Sequence, residues 1–251
     1  MQIRFEHKGE SWQADLTSGV DISIAVSGDT GVRAWGVRGA EITPHRTGGF
    51  VGSISAGASV NFNDVHFNPH AHGTHTECLG HISREAQSVN THPPKPWMLT
   101  TVVTITPENN GSDSMITRPQ LEAAIPNLDT ESLVLRTLPN PESKRHMDHS
   151  GTNPPFLEAK AAVWLNVQGV CHLLLDLPSV DREEDGGALQ AHKAFWGLPD
   201  QPRPEATITE LIYVPEAVAD GKYMLNLQMA ALENDASPSR PILFPISRVP
   251  S

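Results

Sequence analysis

The sequence is poor in cysteine and in long apolar runs, and each shortage excludes a class of protein. Cys78 and Cys171 are its two cysteines and no Cys-x-x-Cys pair occurs, so a zinc site built from sulfur alone is excluded. Two widely separated cysteines favour reduced thiols in the cytosol. No apolar run is long enough to span a bilayer, and residues 1–10 lack the apolar core of a signal peptide. We therefore expect a soluble, cytoplasmic protein with no membrane partner.

Positive charge is also scarce, since 18 Lys and Arg face 29 Asp and Glu for a formal net charge of −11. An acidic chain without a basic cluster repels phosphate backbones, so nucleic-acid binding is not expected. The motifs Gly-x-Ser-x-Gly and Gly-x-Gly-x-x-Gly and the P-loop are missing too. Covalent serine catalysis and nucleotide binding therefore have no support in the sequence. A small molecule is the expected partner.

The remaining pattern predicts many short strands and few helices. The 21 prolines and 19 glycines favour turns over a helical bundle. Alternating or β-branched stretches predict strands over residues 2–7, 11–16, 21–26, 51–62, 100–106, 132–138, 170–177, 206–214, 222–230 and 242–246. Helical spacing predicts helices over residues 118–125, 156–168 and 189–196, and residues 140–153 are predicted to be a loop. This order, without a dividing linker, predicts a mixed α/β fold in a single domain over residues 1–251.

The densest chemical signal is a histidine-rich segment around Gly73. Four of the twelve histidines and one carboxylate lie within twelve positions: His70, His72, His75, Glu77 and His81. Imidazole and carboxylate are ligands that Zn²⁺ and Mn²⁺ prefer, so we predict one or two divalent ions here. In an extended segment, residues two apart share a face, which brings His75 and Glu77 together. A tight turn at Gly73 would let His70 or His72 supply a third ligand.

Other titratable residues extend this hypothesis. His81 lies four positions beyond Glu77, and we expect it to act as general base and acid at the edge of the same pocket. For Cys78, a small buried apolar role is favoured over metal ligation. Glu210 lies in an apolar strand, where a carboxylate is costly unless it is paired or binds a metal. Asp176 also follows an apolar run, and there a backbone hydrogen bond explains it equally well.

Residues 71–81 resemble the signature of the cyclase family of metal-dependent hydrolases, which includes bacterial kynurenine formamidase and isatin hydrolase. That signature reads His-x-Gly-Thr-His-x-Asp-x-Pro-x-His. The residues in register are Gly73, Thr74, His75 and His81. Glu77 replaces the aspartate and keeps the carboxylate, whereas Leu79 replaces the proline.

The first histidine of the signature is displaced in this chain. Ala71 occupies its position and cannot bind a metal, but His70 and His72 flank it. The resemblance implies that one of the two takes the role of first ligand, and we favour His70, with His72 as the alternative.

The resemblance continues beyond this segment. Residues 176–181 resemble the motif that ends an apolar strand in the family, and residues 237–243 resemble its final strand. The family then supplies a histidine and a glutamate as further metal ligands, for which His192 and Glu210 are the candidates. Glu77 would bridge two ions if a second one is present.

The resemblance implies a swivelling β/β/α fold, a homodimer, and the hydrolysis of linear or cyclic amides, such as N-formylkynurenine, by metal-activated water. Two alternatives stay open. One is a lactonase or another cyclase-type enzyme on the same scaffold. The other is a non-catalytic binding protein that retains the fold.

Overall fold

The computed structural model describes residues 1–85 and 87–249, and most of its strands belong to one sheet that closes on itself. The strands in these residues are β1 (Gln2–His7), β2 (Glu10–Asp15), β3 (Val20–Asp21), β4 (Glu41–Pro44), β5 (Arg46–Thr47), β6 (Phe50–Val51), β7 (Asn63–His66), β8 (His75–Glu77), β9 (Trp97–Ile105), β10 (Glu108–Asn110), β11 (Asp113–Ile116), β12 (Ser132–Thr137), β13 (Phe156–Leu157), β14 (His172–Leu175), β15 (Thr207–Glu210), β16 (Gly221–Met229) and β17 (Ala236–Arg248).

Helices are short and few in the described residues. The α-helices are α1 (Arg118–Ala124), α2 (Ala159–Val167) and α3 (Gln190–Phe195), and single 3-10 turns cover Ile54–Ala56, Leu79–His81 and Glu142–His146. At the start of α1, the Gln120 side chain accepts the backbone N–H of Thr117 at 3.0 Å, as in a capping box. A helix able to cross a bilayer, judged by length and apolar character, does not occur in this part of the chain.

Seven strands form a closed barrel. Their order is β8, β15, β14, β12, β9, β16 and β17, and β17 returns to pair with β8. Strands β9, β12, β14 and β15 run parallel to one another, and β8, β16 and β17 pair antiparallel with their neighbours. The second half of β17 extends past the barrel and pairs with β2, which adds the β1–β2 hairpin to the sheet.

Every residue of β12 and β14 is buried, and each strand contains a run of three apolar residues because both of its faces are covered. One face packs inside the barrel with residues of β9, β16 and β17, in a cluster that includes Val102, Val134, Leu174, Leu225 and Leu243. The alternate residues point outward and pack against α1, α2 and α3: Leu133, Leu135, Leu173 and Leu175. Burial of each of these leucine side chains stabilises the fold by about 1.5–3 kcal/mol. The barrel therefore holds one core inside and a second beneath the helices.

The mixed α/β class is confirmed, and most predicted elements are present within a few residues of their predicted bounds. The β1–β2 hairpin, the strands β9, β12, β14, β15 and β16, and the helices α1 and α3 all match. The strand predicted from residue 242 is part of the longer β17. The loop over residues 140–153 contains a short 3-10 turn.

Three local predictions are wrong. The strand predicted over residues 21–26 ends at Asp21, because the following backbone groups bond to separate segments: Ile22 N–H to Pro241 and Ile24 N–H to the Thr74 hydroxyl. The helix predicted from Phe156 begins at Ala159, since residues 156–157 pair with β11. Residues 51–62 do not form one strand, because the chain folds back on itself there.

Residues 41–66 form a protruding arm instead. Strand β4 pairs with β7, and β5 pairs with β6 near the tip. The tip is held by local bonds, such as Ile54 N–H to the Asn61 side chain at 3.0 Å. The strand that leads into the histidine segment is therefore β7, whose four residues are all exposed.

Candidate metal centre

Strand β8 closes the barrel and carries two of the predicted ligands. It pairs with β15, with Glu210 opposite His75, and with β17 along its other edge. Because alternate residues share a face, His75, Glu77 and Glu210 all face the side of the sheet that α3 covers. Thr76 faces the other way, where its hydroxyl lies 2.8 Å from that of Thr209.

His70, His75 and Glu77 converge on one point. One ring nitrogen from each histidine and one carboxylate oxygen all lie within 4.8 Å of one another. His70 Nδ1 is 3.2 Å from Glu77 Oε2, and His75 Nε2 is 3.4 Å from Glu210 Oε2. Both His75 and Glu77 are completely buried. These three side chains could hold a metal ion.

His192 reaches the same cluster from α3. Its Nε2 lies 3.1 Å from Glu77 Oε1 and 4.0 Å from Glu210 Oε1. Its Nδ1 lies 2.6 Å from Asp181, whose carboxylate also accepts two backbone N–H groups at the start of α3. Asp181 therefore fixes the ring so that Nε2 faces Glu77. One oxygen of Glu77 faces His192 and the other faces His70.

His81 and Asp235 complete the rim of the cluster. The 3-10 turn after β8 brings His81 Nε2 to 3.8 Å from Glu77 Oε2. The Nδ1 of His81 lies 3.2 Å from Asp235 Oδ2, and the same oxygen lies 2.8 Å from His70 Nε2. The backbone oxygen of Asp235 accepts the N–H of Cys78 at 3.0 Å, which ties this loop to the end of β8.

Two buried polar atoms of the cluster have no hydrogen-bond partner within the described residues: His75 Nε2 and Glu77 Oε2. The contact of Glu77 Oε2 with His70 is close, but it is not aligned for a hydrogen bond. Native proteins rarely leave such atoms unpaired, because each costs about 1–3 kcal/mol. A divalent cation satisfies an imidazole nitrogen and a carboxylate oxygen together. The residues present therefore fit a divalent metal ion.

The charges of the cluster also favour a bound cation. Burial opposes protonation of His70, but Asp235 and Glu77 outweigh it and raise the pKa of His70 to about 10. For His192 burial is again outweighed by its carboxylate partners, and its pKa rises to about 10. Burial raises the pKa of Glu77, yet the charge of His81 and the contacts of the other two imidazoles hold it well below its usual value. The carboxylates thus create a place for positive charge.

The structure separates the two candidates for the first ligand. Both ring nitrogens of His72 are used elsewhere: Nε2 lies 2.6 Å from the carbonyl oxygen of Arg38, and Nδ1 accepts the N–H of Asn68 at 2.9 Å. The segment turns at this point, because the N–H groups of Ala71 and His72 both bond to the Asn68 carbonyl. His72 is therefore not brought to the cluster, whereas His70 is.

The backbone around Gly73 explains the need for glycine there. Gly73 has a φ of +92°, and an added Cβ would lie 2.8 Å from the carbonyl oxygen of Ile24. The next hydroxyl, of Thr74, accepts the Ile24 N–H at 2.7 Å and donates to the Leu211 carbonyl. These bonds hold the start of β8 against the barrel. Cys78 is buried with its sulfur near a backbone carbonyl, and it belongs to none of the possible metal groups in the described residues.

Sequence reasoning missed Asp235. The one available signal was the polar run at residues 233–235 before the closing strand, but periodicity predicted that strand from Ile242 and the family resemblance from Ser237. It begins at Ala236, opposite Glu77, and this register places Asp235 beside the cluster. Asp176, in contrast, lies apart from the cluster and is paired with Lys144 at 2.7 Å.

A cleft of about 330 Å³ opens beside the cluster. Its lining includes His70, His81, His192 and Glu210, together with the apolar side chains of Trp35, Val37 and Leu189. Clefts of this volume suit small molecules. A closed barrel with a buried His/Glu cluster next to such a cleft defines a protein with a candidate metal centre that a small molecule can reach.

The chain belongs to the cyclase family. The family model described as "Putative cyclase" matches residues 20–182, which confirms the resemblance identified from the histidine segment. The matched region includes β8 and His81. It ends before His192, Glu210 and Asp235.

Solved structures of similar fold cover nearly the whole chain. A protein described as a potential metal-dependent hydrolase with cyclase activity is 16% identical with a TM-score of 0.65, over 92% of this chain and 98% of its own. Isatin hydrolase A from Labrenzia aggregata, bound to benzyl benzoate, is 12% identical with a TM-score of 0.66, over 90% and 93%. An isatin hydrolase bound to the product analogue thioisatinate is 13% identical with a TM-score of 0.62, over 93% and 92%. These likenesses confirm the predicted cyclase-like fold. No curated protein matches the sequence.

Proposed function

We propose that the protein is a metal-dependent hydrolase that cleaves an amide bond, in a linear aryl formamide or in a cyclic amide. The observation that carries this proposal is the pair of unpartnered buried atoms, His75 Nε2 and Glu77 Oε2, grouped with His70 beside an open cleft. A purely structural cluster gains nothing by leaving them unpaired. Three of the similar solved structures are isatin hydrolases, and isatin contains a cyclic amide, which supports the choice of bond.

The proposed ligands form two overlapping groups. His70, His75 and Glu77 would hold one divalent ion, and Glu77, His192 and Glu210 would hold a second if it is present. Zn²⁺ and Mn²⁺ are the ions that suit these donors. When bound, such an ion lowers the pKa of water toward about 7 and polarises a carbonyl group. Glu77 serves both groups because its Oε2 faces His70 at 3.2 Å while its Oε1 faces His192 at 3.1 Å.

His81 is the residue placed to carry a proton. Its side chain is 30% exposed at the cleft, whereas His75 and His192 are buried. Its Nδ1 is engaged by Asp235, which leaves Nε2 facing Glu77 and the cleft. This nitrogen takes a proton from the attacking water and returns it to the leaving nitrogen of the amide.

The cleft favours a neutral aromatic substrate. Trp35 lines it with a side chain that is 40% exposed, and an aryl ring stacks on such a surface. Val37 and Leu189 extend the apolar wall. The acidic side chains of the lining, which include Glu183 and Asp185, outnumber its one arginine, Arg182, and therefore disfavour an anionic substrate.

Elemental analysis of protein purified without chelators tests the metal. We expect at least one divalent ion per chain, a loss of that ion in Glu77→Gln, and wild-type content in the control Glu233→Gln. The Glu233 carboxylate is exposed and accepts a hydrogen bond from Asn90, away from the cluster. Absence of stoichiometric metal in the wild type contradicts the proposal and favours a non-catalytic binding protein.

Hydrolysis assays test the bond. We expect turnover of a formanilide or of isatin, with His81→Ala slowing turnover while metal content stays intact. Faster turnover of an aryl lactone than of either amide would make the protein a lactonase. Metal loss in His81→Ala would make His81 a ligand and contradict its role as proton carrier.

We place the protein in the cytoplasm as part of this proposal. Cys78 and Cys171 are both free thiols, and free thiols are typical of a reducing compartment. Fractionation of the native cells with an antibody against the protein checks this location, and recovery in an oxidising compartment would contradict it.

We further propose that the chain forms a homodimer through the arm of residues 41–66. Six large apolar side chains of the arm are 39–57% exposed: Ile42, Phe50, Ile54, Val60, Phe62 and Val65. They expose on the order of 500 Å² of apolar surface, as much as a typical monomer exposes in its largest patch. A two-stranded hairpin buries little apolar surface by itself, so a partner that covers these side chains would stabilise the arm.

A second copy of this chain suits the arm. Two arms bring on the order of 1,000 Å² of apolar surface together, which with their polar edges approaches the 1,200–2,000 Å² of stable interfaces. Charge does not oppose this contact, because residues 41–66 carry a formal charge of −1 whereas the whole chain carries −11. Ile42 and Val65 are a cross-strand pair, so their exposed side chains lie together, and a two-fold contact would place this pair against its copy.

Light scattering coupled to size-exclusion chromatography tests the dimer. The wild type should elute as a dimer at micromolar concentration, and the double variant Ile42→Lys, Val65→Lys should be a folded monomer. The control Val167→Lys, at an apolar side chain of α2 that is 74% exposed, should remain a dimer. A monomeric wild type, or a double variant that stays dimeric, contradicts the proposal.

A further inference from the structure

One carboxylate oxygen touches two imidazoles of the candidate site. Asp235 Oδ2 lies 2.8 Å from His70 Nε2 and 3.2 Å from His81 Nδ1. We propose that Asp235 is a positioning residue that fixes the ring orientation and the tautomer of His70 and His81 together. This inference rests on the proposed function, in which His70 is a metal ligand and His81 carries the proton.

The chemistry of the carboxylate decides the tautomers. An ionised carboxylate only accepts hydrogen bonds, so the ring nitrogens that face Asp235 both carry hydrogen. When the ring is neutral, as it must be to bind a cation, His70 is left with Nδ1 as its lone-pair nitrogen, and a neutral His81 is left with Nε2. These two nitrogens face Glu77 Oε2 at 3.2 and 3.8 Å. Asp235 therefore prepares one ring to bind a cation and the other to accept a proton at the same place.

The two rings are also held as a stacked pair. Their centroids are 4.3 Å apart with a tilt of 32°, so a rotation of either ring would disturb the other. Without the carboxylate, each neutral imidazole would divide between two tautomers, and only one of these suits its task. One lost carboxylate should thus affect both metal binding and proton transfer.

The backbone holds Asp235 in place independently of its side chain. Its carbonyl oxygen accepts the Cys78 N–H at 3.0 Å, and the carbonyl of Asn234 accepts the Val89 N–H at 2.8 Å. The following residue, Ala236, lies opposite Glu77 in the β8–β17 ladder. Asp235 is therefore carried by the strand pair that closes the barrel, and replacement of its side chain leaves these anchors intact.

This arrangement also suits the displaced first histidine. His70 lies one position before the register in which the family signature has its first ligand, and it lies in a turn rather than in a strand. Such a ligand needs a partner that orients its ring, and the one found here is Asp235. Partners of this kind usually contribute 10- to 100-fold to metal affinity.

The test compares Asp235→Asn with the matched control Glu233→Gln, which lies two residues earlier in the same loop. Mn²⁺ affinity of the metal-free proteins is measured by competition with a chelator. The kcat for hydrolysis of isatin or of a formanilide, whichever the wild type turns over, is measured at saturating Mn²⁺. We expect Asp235→Asn to weaken Mn²⁺ binding by about 10- to 100-fold and to lower kcat by at least about 10-fold. Glu233→Gln should match the wild type in both measurements.

A cycle with His81→Ala separates positioning from a general structural role. In the His81→Ala background, Asp235→Asn should still weaken Mn²⁺ binding, because His70 is still present. It should no longer lower the residual kcat by more than about 2-fold, because the ring that it orients for proton transfer is gone. A merely structural role would lower kcat equally in both backgrounds.

The inference is overturned if Asp235→Asn binds Mn²⁺ as tightly as the wild type, or if its effect on kcat is the same with and without His81. Either result with a metal-loaded, active wild type leaves the proposed function intact. A wild type that binds no Mn²⁺ or Zn²⁺ overturns the proposed function itself, and with it the role of Asp235.

Discussion

Replacement of Asp181 by asparagine tests whether His192 faces the cluster as a metal ligand. Asp181 Oδ2 lies 2.6 Å from His192 Nδ1, while Oδ1 accepts the backbone N–H of Ala191 at 2.7 Å. Asparagine can keep the second bond, but it then presents an NH₂ group to the imidazole. Two donors cannot face each other, so the neutral ring carries its hydrogen on Nε2, the nitrogen 3.1 Å from Glu77. That nitrogen is then blocked as a ligand.

The size of the effect follows from the position of the ring. Loss of a carboxylate that orients a metal-binding histidine usually costs 10- to 100-fold in affinity, or about 1.4–2.7 kcal/mol. His192 is buried, so water cannot replace the lost acceptor, and we expect the upper part of that range. Chelator competition with Zn²⁺ or Mn²⁺ at neutral pH measures the affinity, and circular dichroism checks that the variant is folded.

Asp185→Asn is the matched control. Asp185 lies in the same loop before α3, and its two oxygens accept the backbone N–H groups of Gly187 and Leu189 at 2.7 and 2.6 Å. This variant makes the same chemical change without touching His192, so its affinity should stay within about 2-fold of the wild type. Wild-type affinity in Asp181→Asn, or an equal loss in both variants, would refute the reasoning.

Three further predictions concern the stability of the fold. Gly73→Ala should lower the free energy of unfolding by at least about 2 kcal/mol, because its φ is +92° and the added Cβ would lie 2.8 Å from the Ile24 carbonyl. An unchanged urea midpoint would count against this. Burial lowers the pKa of His172 from 6.5 to about 4, so the unfolded chain binds the proton first as the pH falls. The contribution of neutral His172 to the free energy of unfolding is therefore complete above pH 6.5 and declines toward pH 4 by at most about 3 kcal/mol. Urea unfolding of His172→Gln should depend less on pH than that of the wild type. An identical pH dependence would contradict this prediction. Removal of metal by a chelator should lower the melting temperature, because an ion at 100 times its Kd stabilises the folded state by about 2.7 kcal/mol. Equal melting temperatures with and without Zn²⁺ or Mn²⁺ would oppose this prediction.

Local patterns in the sequence predict local structure well here. The apolar runs of β12 and β14 are visible because both faces of each strand are buried. The histidine segment stands out by composition, and the alternation of His75 and Glu77 correctly places both on one face of β8. Each of these features depends on residues that are neighbours in the chain.

Features that depend on distant pairing were missed. Asp235 reaches His70 and His81 only because β17 begins at Ala236 and pairs with β8, about 160 residues earlier. The alternation of apolar residues over 51–62 imitates a strand, but the glycines and side-chain bonds of this segment fold it into the tip of the arm. Sequence periodicity cannot reveal which strands pair, and the closure of a barrel depends on pairing between strands that are distant in the sequence.

Strand β8 is only three residues long, yet it joins the two ends of the barrel sheet, and two of its three side chains are proposed to grip the ion. The ion would then stabilise the pairing of β8 with β15 and β17, in addition to its part in catalysis. The metal supply of the cell would therefore affect the fraction of chains that stay folded and resist proteolysis, as well as the rate of turnover.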